Sequence, residues 1–246
     1  MEKRKGGLIM NMILEVYREA FDVLKQKPFR LWGISLLAGF LGGLVGALLG
    51  VIPLAALAVA ELIEVGMVMV YLHGFRGEEV KAVQLFDCCH DWKTVGRVLA
   101  GMGWMTLWIF LWALIPIVGI VFAVIKTYSW RLTPYILVQE PDVAPTEAIK
   151  VSAQRTMGYK GKMFGADMLV LACLIVLMVI FAALRLGFLV ALVYILALLV
   201  LPLFLGLVQA GFYEKISNAP QPKTCAKCGG PVAADASFCP NCGTPV

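Results

Sequence analysis

The chain has 246 residues, 61% of them hydrophobic and only 15% charged, with a mean hydropathy of +0.85. An ordinary soluble domain is roughly 45–50% apolar and about 25% charged, so this composition excludes one and points to lipid as the solvent. The formal net charge of +5 comes from lysines and arginines that flank apolar runs, as the positive-inside rule anticipates; no nucleic-acid partner is expected.

In chain order, Met12–Leu24 places Ile13, Val16, Tyr17, Ala20, Phe21 and Leu24 at helical spacing, opposite Glu15, Arg18, Glu19 and Asp22. That periodicity predicts an amphipathic helix within residues 1–30, cytosolic or lying in the membrane interface. The first apolar run begins only after about thirty residues and has no A-x-A-like cleavage site, so no secretory signal is expected.

Residues 31–213 read as an all-α membrane domain of about six transmembrane helices in three hairpins. The hairpins are about Leu31–Leu49 with Pro53–Leu72, Val98–Ile115 with Ile117–Val138, and Phe164–Ala183 with Gly187–Phe212. The outer turns carry few charges, Arg185 being the basic exception. The inner connections hold Arg76, Lys81, Lys93, Arg97, Lys150, Arg155, Lys160 and Lys162. This asymmetry predicts an inner (cytoplasmic) cell-membrane protein with both termini in the cytosol.

Within these spans, Glu61 and Glu64 stand three residues apart on one helix face, and carboxylates at membrane depth are costly enough to suggest a role. Lys126, at similar depth counted from the outer turns, is the expected counter-charge. Gly42, Gly46 and Gly50, with Gly39 and Gly43 beside them, permit close helix approach, either within the monomer or in a homodimer. Cys88 and Cys89, next to His90 and Asp91, read as unliganded juxtamembrane thiols. Tyr128, Trp130 and Tyr135 suit a headgroup belt, and a helix opening at Pro145-Thr146-Glu147 is expected to dock through Ala148, Val151, Ser152 and Arg155.

The run Lys126–Leu137 (KTYSWRLTPYIL), Pro141-Asp142, Glu147–Ser152 (EAIKVS) and then Gly158, Lys160 and Phe164 resembles the bacterial membrane family called domain of unknown function 975. The family-like positions include Tyr128, Pro134, Lys150, Ser152, Gly158 and Phe164. Where that family has Ile-Pro-Gly before the lysine, this chain has Val121-Phe122-Ala123. The resemblance implies a multi-pass helical architecture and carries no activity with it.

Residues 214–224 read as a tether with Pro220 and Pro222, and 225–246 as a small zinc ribbon. Two C-x-x-C-G knuckles supply Cys225, Cys228, Cys239 and Cys242, with Gly229 and Gly243 suited to the left-handed turn such knuckles use. Four thiolates fit one structural Zn2+ and leave no open position for catalysis. A segment this short buries too little to fold without metal. With two histidines, no Gly-x-Ser-x-Gly and no phosphate-cradling loop, no catalytic residues are assigned and no enzyme is expected. The expected role is a membrane adaptor or regulator that binds a protein partner through its ribbon, with a transporter using Glu61, Glu64 and Lys126 as the alternative.

Overall fold

The computed structural model describes residues 2–26, 28–219, 223–228, 230–232, 236–239 and 241–245. Among these the chain forms nine α-helices: α1 (Glu2–Gln26), α2 (Pro28–Leu49), α3 (Pro53–Phe75), α4 (Trp92–Ala113), α5 (Val118–Ser129), α6 (Thr133–Gln139), α7 (Pro145–Arg155), α8 (Lys160–Ala183) and α9 (Gly187–Ser217). A 3-10 segment, Ala82–Cys89, follows α3, and a two-stranded antiparallel pair, β1 (Lys223–Thr224) with β2 (Pro231–Val232), closes the chain. Five helices, α2, α3, α4, α8 and α9, are long and apolar enough to cross a membrane.

The sequence leads one to expect six such helices, and the difference lies in one place. The apolar run Ile117–Val138 is divided into α5, of 12 residues, and α6, of seven. At about 1.5 Å per residue α5 alone rises only about 18 Å, short of a bilayer core of about 30 Å. Pro134 accounts for the division. In a continuous helix its ring would meet the carbonyl of Trp130 and it would lack an N–H to donate there. The backbone instead leaves the helix at Trp130 and restarts so that Pro134 falls in the first turn of α6, where a missing N–H is tolerated.

The chain divides into two compact units. The first comprises Met1–Asp87 with Gly161–Phe212. The amphipathic face of α1 is covered by protein: Ile13, Val16 and Ala20 are buried, the Tyr17 hydroxyl donates to the Ala166 carbonyl on α8, and its ring meets Phe204 of α9 at 5.5 Å. Antiparallel α2 and α3 approach at Ser35 and Tyr71, whose hydroxyls lie 3.4 Å apart. Glycines set the closest contacts. A Cβ on Gly206 or Gly211 of α9 would fall 2.2 Å from the Tyr71 ring or 2.8 Å from the Phe75 ring, and one on Gly66 of α3 would fall 2.0 Å from the Leu85 carbonyl oxygen. The glycines singled out in α2 do not pack this way: a Cβ on Gly39, Gly42, Gly43 or Gly46 would meet nothing within 4 Å.

The second unit comprises Cys88–Lys160 with Tyr213–Val246. Asp91 starts α4 by accepting hydrogen bonds from the Thr94 amide at 2.7 Å and hydroxyl at 3.1 Å. Thr94, through its hydroxyl and then its amide, holds the Asp91 carboxyl below its usual value. Near one end of α4, Trp112 stacks on Phe122 of α5 at 5.1 Å. Toward the other end, a Cβ on Gly101 would lie 2.6 Å from the Leu137 side chain, and Arg97 donates to the Leu137 and Glu140 carbonyls at 3.4 and 3.1 Å. Between them, α5 and α6 therefore run back along most of α4. α7 packs on this set through buried Ala148, Ile149 and Ser152, and Arg155 forms a two-pronged ion pair with Glu140.

Candidate metal centre and the helix break

The β1–β2 pairing sets Lys223 opposite Val232 and Thr224 opposite Pro231, so the intervening turn carries the first cysteine pair. The Cys225 amide closes that turn by donating to the Gly230 carbonyl at 2.8 Å. The second knuckle repeats the device. Phe238 bridges to Pro245, Cys239 N–H donates to Thr244 at 2.8 Å and Gly243 N–H to Cys239 at 2.9 Å. Gly243 has φ = 70°, a left-handed conformation that strains residues with a Cβ. Cys225, Cys239 and Val232 form a small buried cluster with Ala236 against it.

All four sulfur atoms lie within 4.8 Å of one another. Cys225 and Cys242 are 3.6 Å apart, as are Cys228 and Cys239. The Thr244 hydroxyl and amide pull the Cys242 thiol down to about 6, while the Cys228 thiol, despite the Gly230 amide, is pushed up to about 11 by the neighbouring Cys242 and Cys239. These four cysteines could hold a metal ion, and among the described residues they are the one such cluster of histidines, cysteines or carboxylates. Gly229, Pro220 and Pro222 lie outside the described residues.

The other anticipated residues are distributed over both units. Glu61 on α3 is 6% exposed, whereas Glu64, one turn on, is exposed. Both belong to the first unit, whereas Lys126 stands on α5 in the second, its ammonium 5.4 Å from the Trp130 ring centroid. Cys88 is buried and Cys89 exposed, with their sulfurs 3.8 Å apart. Of the aromatic residues assigned to a headgroup belt, Trp130 and Tyr135 are instead buried in protein. Tyr135 stacks on Tyr213 at 4.4 Å, while Tyr128 takes Arg131 over its ring at 5.1 Å.

The family-like positions sort around the break between α5 and α6. Ser152, on the predicted docking face of α7, donates to the Ser129 carbonyl at 3.0 Å and accepts from the Leu132 amide at 3.1 Å. One hydroxyl thus satisfies a backbone group on each side of the interruption. The Thr156 hydroxyl, whose one proton is shared with the Ser152 carbonyl at 2.9 Å, adds a second donor to Ser129 at 3.0 Å. Pro134 sits buried at the restart, and Gly158, at φ = 82°, turns the chain from α7 into α8. Lys150 is exposed on α7, and Phe164 is exposed on α8. Sequence reasoning misses Ser129, Leu132 and Thr156: 20 and more residues separate them from their partners, and no spacing rule connects them. Comparison with known proteins finds no family model, curated protein or solved structure that matches this chain.

Proposed function

We propose that this chain is a six-span membrane adaptor or regulator whose C-terminal zinc ribbon, on the cytosolic side, recruits a protein partner. The observation that carries the reading is the sulfur geometry. A tetrahedral ion with Zn–S bonds of about 2.3 Å separates its sulfurs by about 3.8 Å, and the two closest pairs here are 3.6 Å apart. Two knuckles with amide-closed turns and a left-handed glycine supply four ligands. A closed site of that kind supports folding and recognition rather than chemistry. The exposed Lys227, between the first two cysteines, gives the ribbon a face for a partner.

The sixth crossing is supported by the return of α5 and α6 along α4. Irregular backbone is tolerated at membrane depth where protein covers it, and buried Ser152 and Thr156 cover this interruption. An even number of spans then leaves both termini on the cytosolic side favoured by the basic connections. Kinship with the family that Lys126–Phe164 resembles belongs to the same proposal and rests on those residues alone.

The test is photocrosslinking in intact cells from a reactive residue at Lys227, comparing the native tail with one carrying Cys239→Ser and Cys242→Ser. A specific crosslinked protein that disappears in the double variant is the expected result. Identical patterns from both tails would remove the adaptor reading. A second reading, a carrier that works through Glu61 and Glu64, is favoured by the burial of Glu61 in an apolar helix. It predicts proton-coupled flux in proteoliposomes that Glu61→Gln abolishes.

A further inference from the structure

We propose that the groove between the start of α2 and the segment following α3 binds one anionic phospholipid, its phosphate at Arg30 and Lys81 and an acyl chain in the apolar trough below them. The assignment needs only that α2 and α3 cross a membrane, and it is independent of the ribbon.

The cavity lies wholly within the first unit and measures about 340 Å3. Arg30, Gly33, Ile34 and Leu37 line it from α2, at the i, i+3, i+4 and i+7 spacing of one helix face. Val80 and Ala82 close the other side, and buried Ile34 and Val80 form the floor. Val80 is seated against α3: a Cβ on Gly74 would lie 3.5 Å from its side chain and 3.2 Å from that of Leu31. Gly33 leaves the space, since a Cβ there would meet nothing within 4 Å. From Arg30 to Leu37 the trough follows α2 for about 10 Å, from its basic first turn into an uncharged apolar run. That is about a third of a bilayer core of about 30 Å, entered from the level of the headgroups.

The charges sit at the mouth. Glu79 takes Arg30 on one carboxylate oxygen at 3.2 Å and Lys81 on the other at 3.1 Å. Gln84 pins this turn, accepting from the Lys81 amide at 2.9 Å and donating to the Glu79 carbonyl at 3.1 Å. The neighbouring acid, Glu78, lies against His73 at 3.6 Å. Two cations thus share one carboxylate and leave one positive charge over, which a phosphodiester balances. All three side chains keep 59–62% exposure, so their mutual pairing is weak and the guanidinium is able to turn its planar donors to phosphate oxygens. A charged mouth above an apolar trough matches an amphiphile. A soluble phosphate would leave the trough empty, and a zwitterionic lipid would not answer the charge.

Native mass spectrometry of the full chain in detergent, titrated with phosphatidylglycerol or phosphatidylcholine, tests the site. One phosphatidylglycerol per chain is expected to bind in preference to phosphatidylcholine. Arg30→Gln and Lys81→Gln should each weaken it about fivefold, because either leaves Glu79 to neutralise the remaining cation. Glu79→Gln should tighten it about fivefold, a gain that a damaged fold does not produce. Gly33→Phe, which fills the trough, should remove binding, while Gly39→Phe, also in open space on α2, leaves it unchanged. Equal affinity for the two lipids, no gain in Glu79→Gln, or equal effects of Gly33→Phe and Gly39→Phe would overturn the proposal. Displacement of the lipid by inorganic phosphate would also overturn it, marking an anion site that makes no use of the trough.

Discussion

Replacing Ser152 by alanine should expose how the break between α5 and α6 is held. The Ser152 hydroxyl is fully buried and serves two backbone groups, but the losses are unequal. The Ser129 carbonyl keeps the Thr156 hydroxyl at 3.0 Å, whereas the Leu132 amide, on a residue 1% exposed, loses the partner it has at 3.1 Å. An orphaned buried donor costs about 1–3 kcal/mol, and an ordinary hydrogen bond contributes a net of about 0.5–1.5 kcal/mol. Ser152→Ala should therefore destabilise by about 1–3 kcal/mol. Thr156→Val, which leaves Ser129 bonded to Ser152, should cost about 0.5–1.5 kcal/mol. The double variant strips Ser129 of both donors and should cost more than the sum of the two, by about 0.5 kcal/mol or more. Denaturant titration in detergent micelles reads the global cost, and hydrogen exchange at the Leu132 amide reads the local one. That amide should exchange about tenfold faster in Ser152→Ala. A Thr156→Val loss exceeding that of Ser152→Ala, or a Leu132 amide indifferent to residue 152, would refute the reasoning.

Gly66→Ala should destabilise by at least about 1–3 kcal/mol, because its Cβ would lie 2.0 Å from the backbone oxygen of Leu85; Gly39→Ala, with open space around it, is the neutral control in the same denaturant titration. The metal content of the purified chain, measured by atomic absorption, should be one zinc per chain and should fall to background in Cys239→Ser, while helical circular dichroism is preserved. Removing Arg155 as Arg155→Met should cost roughly 1–3 kcal/mol, less than the 3–5 of a fully buried pair, since its side chain and that of Glu140 keep 19% and 30% exposure; a shift in unfolding midpoint no larger than that of Lys150→Met would show the pair to be a surface contact.

The apolar helices and the cysteine cluster are legible in the sequence because each rests on a local pattern: long runs without charge, and paired knuckles at fixed spacing. The division of the fourth apolar run is not legible. Hydropathy averages over Ile117–Val138 and does not register a carbonyl clash at Pro134, nor can it foresee that Ser152 and Thr156 return to the freed backbone. Trp130 and Tyr135 mislead for a related reason: an aromatic residue near a helix end suits a lipid interface and a protein interior equally, and here α6, α7 and Tyr213 provide the interior. The glycines illustrate the same gap. The regular stripe in α2 attracts notice but faces open space, while Gly66, Gly206 and Gly211 set the close contacts and stand in no motif. The face of α7 is legible in part: Ala148 and Ser152 are buried as its helical period implies, while Val151 is only half-buried and the burial of Ile149 is not anticipated.

The clasp on the α5–α6 break also constrains the order in which this protein can be made. The residues that satisfy Leu132 and Ser129 lie 20 to 27 positions farther along the chain, so they leave the ribosome after the interrupted segment has emerged. Until α7 has been synthesised and has swung back, the interruption must keep its polar backbone wet, for nothing in hydrocarbon can replace those bonds. On the six-span reading, α4 and α5 enter the bilayer as an early pair, whereas α6 waits at the aqueous edge for α7. A nascent chain arrested before Ser152 should hold α6 within reach of water-soluble thiol reagents, and one arrested well beyond Thr156 should not.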